Sequence, residues 1–223
     1  MIQYLAQNDG MALRESLFYV TNGTANTGIV ITSLASSFAA TKGFLNVYNS
    51  ASATASPGQN QWIIPIFLRM RATRANTGAS RFTVIGSLDN KDRYSSGGSG
   101  LSTLVVVPAL DTATGYASRA AKATIKFGSL TLAAASTSVK RVMNMQLTTN
   151  VAAAHDTLEI WFGPAFGPST FASGKHTVRY ASMIWIGRGC SLALHNTTAG
   201  NQSQDIKPEV EFYYAEMGHP KFN

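Results

Sequence analysis

From Gln61 to Arg74 the chain alternates with a period of two. One set of positions, Trp62, Ile64, Ile66, Leu68, Met70 and Ala72, is wholly apolar. The other begins Ile63, Pro65, Phe67 and turns polar at Arg69, Arg71 and Thr73. Alternate residues of a β-strand face opposite sides. The segment therefore predicts a long strand with one wall in a core and a second wall that leaves the core partway along. A helix is disfavoured, because Pro65 would remove a hydrogen bond from its interior. Pro65 also points to a sheet edge or a bulge.

Shorter segments follow the same logic. Strands are expected at 14–20, 29–34, 44–48, 81–88, 103–107, 122–132, 139–147 and 157–162. A second long strand is expected over 176–187, continued through 190–195 past a Gly187-Arg188-Gly189 bulge. The last, 208–216, sets Val210, Phe212 and Tyr214 against Glu209, Glu211 and Tyr213. The Ala-Asn-Thr-Gly tetrapeptide at 25–28 recurs at 75–78, which shared turn chemistry explains. Residues 49–60 and 196–206 read as polar loops, and Ser95–Gly100 as a flexible glycine-rich tip. One helical turn is expected at 118–122. Many short strands between turn signals predict an all-β fold, a two-sheet antiparallel β-sandwich of jelly-roll type. Residues 1–12 form an N-terminal arm, and 13–223 a single domain with an extended C-terminal end.

Composition sharpens this picture. Only 13% of the 223 residues are charged, about half the ~25% of an average soluble domain. Such a surface suits packing against copies of itself or a partner, because charge is depleted from interface cores. The net charge of +7 suggests an acidic partner. The basic residues are spread along the chain, however, with no arginine-rich arm, so nucleic-acid contact is possible but not favoured. Residues 1–15 hold no apolar signal core and no run is long enough to span a bilayer, so neither export by an ordinary signal nor a membrane is expected. The single Cys190 excludes an intrachain disulfide framework, and a buried thiol is expected there.

Candidate chemistry is sparse. Glu209 and Glu211 share a strand face roughly 7 Å apart, a separation compatible with paired-carboxylate glycoside hydrolysis. A solvated outer face is the plainer reading. His155, His176, His195 and His219 lack metal-binding spacing and read as surface or loop histidines. Asp89 and Asp92 lack the spaced ligands of a Ca²⁺ site and read as turn residues. No cofactor is expected, and no catalytic residue is assigned. Arg69, Arg71 and Arg74 form the sharpest basic cluster, suited to phosphates or acidic side chains on a partner. Met1, Ile2, Tyr4 and Leu5 supply an apolar arm able to dock on a neighbour.

The stretch Leu88-Asp-Asn-Lys-Asp-Arg-Tyr-Ser-Ser-Gly-Gly98 and the ending Pro208-Glu-Val-Glu-Phe212 resemble phage structural proteins. In overall character the chain is similar to the small β-sandwich decoration (cement) proteins of tailed-phage capsids. That resemblance implies a non-enzymatic virion protein, assembled in the host cytoplasm, that forms a homotrimer and clamps a lattice of major capsid protein. Arg93 and Tyr94, within the first stretch, complete the interface candidates. Two alternatives stay open. One is a single-jelly-roll major capsid protein that builds the shell itself. The other is a carbohydrate-binding or receptor-binding tail module, marked by exposed aromatics such as Tyr213 and Trp161.

Overall fold

The computed structural model describes residues 17–22, 27–31, 38–51, 62–73, 81–105, 121–148, 157–162, 175–180, 184–197 and 207–217. They hold twelve strands: β1 (Leu17–Thr21), β2 (Lys42–Asn49), β3 (Trp62–Ala72), β4 (Arg81–Asp89), β5 (Tyr94–Gly100), β6 (Ser102–Val105), β7 (Ala123–Leu132), β8 (Lys140–Thr148), β9 (Thr157–Phe162), β10 (Lys175–Tyr180), β11 (Ser191–Thr197) and β12 (Pro208–Met217). The first sheet runs β10-β9-β3-β12-β1-β6 and the second β5-β7-β2-β11-β4-β8. Every pairing is antiparallel except β10 on β9.

Eight of these strands form a jelly roll. β1 pairs with β12, β2 with β11, β3 with β9 and β4 with β8. That is one long antiparallel ribbon, first with last and inward to its bend, rolled so that its rungs fall alternately in the two sheets. The remaining strands extend the edges: β5 and β7 beyond β2, β6 beyond β1, and β10 beyond β9. The main apolar core lies between the sheets, and a smaller cluster of Leu130, Leu132 and Ala193 is separate from it. Phe18, Val20, Leu68, Ile160, Val210, Phe212 and Tyr214 come from one side, and Phe44, Val47, Val84, Phe127, Leu192 and Leu194 from the other.

The long strand departs from its expected alternation. Tyr213 pairs with Phe67 but Tyr214 with Pro65, so Ile66 is an extra residue in a bulge. Before the bulge Ile63 points into the core, and after it Leu68 and Met70 do. Ile64 therefore belongs to the wall opposite Leu68. The cause is Pro65, which lacks an N–H. It sits in a central strand, but beyond the end of the β9 ladder, whose pairs run only from Phe67 to Arg71.

Three further expectations are corrected. Ser95–Gly100 is no flexible tip but most of the edge strand β5, bulged twice against β7. Gly98 adopts φ +64° there, where an added Cβ would lie 2.6 Å from the Phe127 carbonyl oxygen. Residues 176–195 are not one strand. β10 ends at Tyr180, and the Gly187–Cys190 turn, closed by Cys190 N–H donating to Gly187 O at 3.1 Å, leads into β11 of the other sheet. Gly189 takes φ +67° in that turn, a conformation that costs glycine little. Finally, Ile29 and Val30 lie outside the strands, although the Ile29 N–H donates to the Pro208 carbonyl oxygen at 2.9 Å and Ile31 makes an isolated bridge. The arm, the expected helical turn up to residue 120, and residues 32–34 lie outside the described residues.

Gly98→Ala is expected to lower stability by about 1–3 kcal/mol, because alanine must accept the left-handed backbone and the Phe127 carbonyl together. Ser99→Ala, exposed on the same strand, should stay within roughly 0.5 kcal/mol of wild type in urea unfolding.

Candidate functional site

On the first sheet, the wall turned away from the core carries rows of side chains that cross four strands. Register sets them. Tyr19 of β1 lies opposite Tyr213 of β12, Tyr213 opposite Phe67 of β3, and Phe67 opposite Trp161 of β9. Their ring centroids are 4.7, 5.9 and 4.4 Å apart in that order. Phe67 is buried within the row, and the other three rings are half-buried. Burial pushes the Tyr19 and Tyr213 phenols above their ordinary pKa, and the Glu211 charge adds to it. Both hydroxyls therefore stay protonated at neutral pH.

One pleat along, Glu211, Arg69 and Glu159 form the next row. Arg69 donates from Nε to Glu159 Oε1 at 3.1 Å and from Nη1 to Glu211 Oε2 at 3.0 Å. Beyond it, Arg71 donates from Nε to Glu209 Oε2 at 2.8 Å and also pairs through Nη2. The Arg69 guanidinium also lies 5.2 Å from the Phe67 ring centroid, which ties the charged row to the aromatic one. Beyond β9 the backbone of β10 pairs in parallel, from Lys175 opposite Thr157 to Tyr180 opposite Phe162.

In the sequence the arginines and the acidic pair lie far apart. The fold makes them each other's partners. Each arginine side chain is 43% exposed, so each pair adds at most about 1 kcal/mol. Their effect is to neutralise the face and hold its side chains in place. Glu159, Phe67 and Tyr19 were not singled out, though the alternation of Thr157–Phe162 carries the signal for Glu159 and Trp161. Arg74, Met1, Ile2, Tyr4 and Leu5 lie outside the described residues. Tyr94 sits half-buried on edge strand β5, with Lys126 Nζ 5.1 Å from its ring centroid.

Arg93 requires correction as an interface candidate, because it is 1% exposed. Its guanidinium is held by the carbonyls of Ala133 and Ala40 at 2.8 and 2.7 Å, with Asp89 at 3.4 Å. Asp89 is itself buried, which raises its carboxyl pKa. Hydrogen bonds from Ser136 and the Asn90 N–H, with the Arg93 charge, outweigh that and hold it below its ordinary value. Asp92 is a turn residue as expected, accepting from the Tyr94 N–H at 2.9 Å and from Asn46 Nδ2 at 3.0 Å. Among the described residues, no group of three or more His, Cys, Asp or Glu could hold a metal ion.

His195 is also corrected, being buried rather than superficial. Its Nδ1 faces the Lys42 carbonyl oxygen at 2.6 Å and so must carry the proton. Nε2 then accepts from the Ser87 hydroxyl at 2.9 Å. This pairing resembles a nucleophile and its base, but Ser87 is only 8% exposed and the Phe38 ring packs edge-on over the imidazole at 5.2 Å. It is a structural contact. Cys190 proves half-buried, with its thiol pKa raised by burial and by Asp89.

Burial depresses the His195 pKa below 6.5, and the Arg93 and Arg141 charges add to this against the opposing hydrogen bonds that the ring donates to the backbone at Lys42 and Ala39. Below pH 6.5 the unfolded chain therefore binds this proton more readily than the folded one, and stability falls as pH drops. Asp89 acts in a lower window, below 3.8. Unfolding midpoints measured from pH 7.5 to 5 should fall in wild type and flatten in His195→Gln.

The chain matches no family model, no curated protein and no solved structure.

Proposed function

We propose that this protein is a structural component of a virion, acting by packing and without catalysis. The observation that carries the reading is the complete jelly-roll winding, β1 with β12, β2 with β11, β3 with β9 and β4 with β8. Jelly rolls serve in viral capsid and lectin domains and in cupins. A fold alone does not name a function, so the low charged fraction of 13% supplies the second support. In this reading the protein binds a preformed lattice of major capsid protein as a homotrimer, a decoration subunit. Its contacts are the apolar N-terminal arm and the edge strands β5, β6, β8 and β10. Arg69 and Arg71, paired with Glu159, Glu211 and Glu209 of the same chain, are not among these contacts.

The test is the mass of the purified full chain, by size exclusion with light scattering and negative-stain imaging. A closed small oligomer, a trimer above all, is the expected result. Spontaneous closed shells would instead make it the building block of the shell. A monomer that persists at high protein concentration would overturn both forms of the proposal.

A further inference from the structure

The outer wall of β9, β3, β12 and β1 has the chemistry of a recognition face, and its composition discriminates among occupants. A protein partner fits poorly. Glu159, Glu209 and Glu211 are of a residue type depleted from interface cores. Docking a protein would also bury five ion-paired charges, whose desolvation outweighs much of what apolar contact returns. A nucleic acid fits poorly too, since the Arg69 and Arg71 guanidinium groups already lie on carboxylates and those carboxylates repel phosphates. A neutral polyhydroxyl ligand meets neither obstacle. Its hydroxyls both donate and accept, so they match a surface that offers guanidinium N–H groups beside carboxylate oxygens. Its ring C–H faces pack on aromatic rings.

The geometry suits an extended chain of sugars. Tyr19, Tyr213, Phe67 and Trp161 stand in one register row at centroid spacings of 4.4 to 5.9 Å, which is of the order of one sugar ring. Across three strand spacings the row is about 14 Å long. The polar row Glu211–Arg69–Glu159 runs parallel to it one pleat away. We infer that this face binds a neutral, extended oligosaccharide, stacked on Trp161, Tyr213 and Tyr19 and hydrogen-bonded by Arg69, Glu211 and Glu159. The inference does not depend on the virion reading: a trimer, a shell or a monomer could each present this wall.

The test uses the purified full chain and three soluble neutral probes, cellohexaose, xylohexaose and chitohexaose. At least one should shift the intrinsic tryptophan fluorescence saturably. Trp62 and Trp185 pack against each other at 5.9 Å at the start of β3, five residues before Phe67, so the change should be lost in Trp161→Ala while those two still report. Trp161→Ala and Tyr213→Ala should each weaken binding about tenfold, the loss of one ring contact. If a truncated variant fails to fold, saturation-transfer NMR on wild type reads the same contact. It should show sugar ring protons saturated from aromatic protons of the protein. Absence of binding by all three probes at millimolar concentration would overturn the inference. So would binding that survives both substitutions, or a change of oligomeric mass in the variants without an effect on glycan binding, which would make the wall a contact between copies of this chain.

Discussion

The ladder between β12 and β3 sets the geometry on which the rest of the molecule depends. It is the longest pairing, ten residue pairs from Pro208–Ala72 to Met217–Trp62, interrupted once where Ile66 bulges. A strand shifted by one residue would turn every side chain to the wrong wall. Here the bulge performs that shift locally and on purpose. It lets Ile63 and Leu68, five positions apart, both enter the core. The same step places Phe67, Arg69 and Arg71 outward together, opposite Tyr213, Glu211 and Glu209. The aromatic row, the ion pairs and the packing of the core thus have one origin.

The two sheets treat polar groups differently. On the first, charge sits half-exposed on an outer wall, where paired groups retain water and the energetic stakes are small. On the second, the outer wall is covered by the turns at 89–93 and 133–139, with Phe38 over His195. Arg93, Asp89, Asn46, Ser191 and His195 lie beneath that cover. Removing one partner from such a buried set leaves the other charged and dry, a loss of about 3–5 kcal/mol. Arg93, a surface contact by the sequence alone, is thus a buried, ion-paired part of the fold. Arg69 and Arg71, also surface candidates, are held by carboxylates of this chain.

What could be read from the sequence divides along a physical line. Period-two alternation is a property of a strand by itself, so Lys42–Asn49, Ala123–Leu132, Thr157–Phe162 and Pro208–Met217 were legible, and with them the sandwich. Partnership is a property of two strands distant in the chain. The Glu159–Arg69–Glu211 row spans 142 residues between Arg69 and Glu211, and no local pattern announces it. Ser95–Gly100 failed for a third reason. Its glycines suggest freedom in the sequence, but at Gly98 the neighbouring strand leaves no room for a Cβ. The buried His195 was missed because its cover, Phe38 and the carbonyl of Lys42, comes from more than 150 residues away.

The first-with-last pairing has a consequence for how the molecule comes into being. β12 lies between β1 and β3 in the finished sheet, yet it is synthesised after every other described strand. Until it emerges, neither β1 nor β3 has its β12 partner, and the core cannot include Val210, Phe212 and Tyr214. Contacts of such sequence separation close late and slowly. The centre of this sheet, rather than its rim, is therefore the last part of the described fold that synthesis can complete.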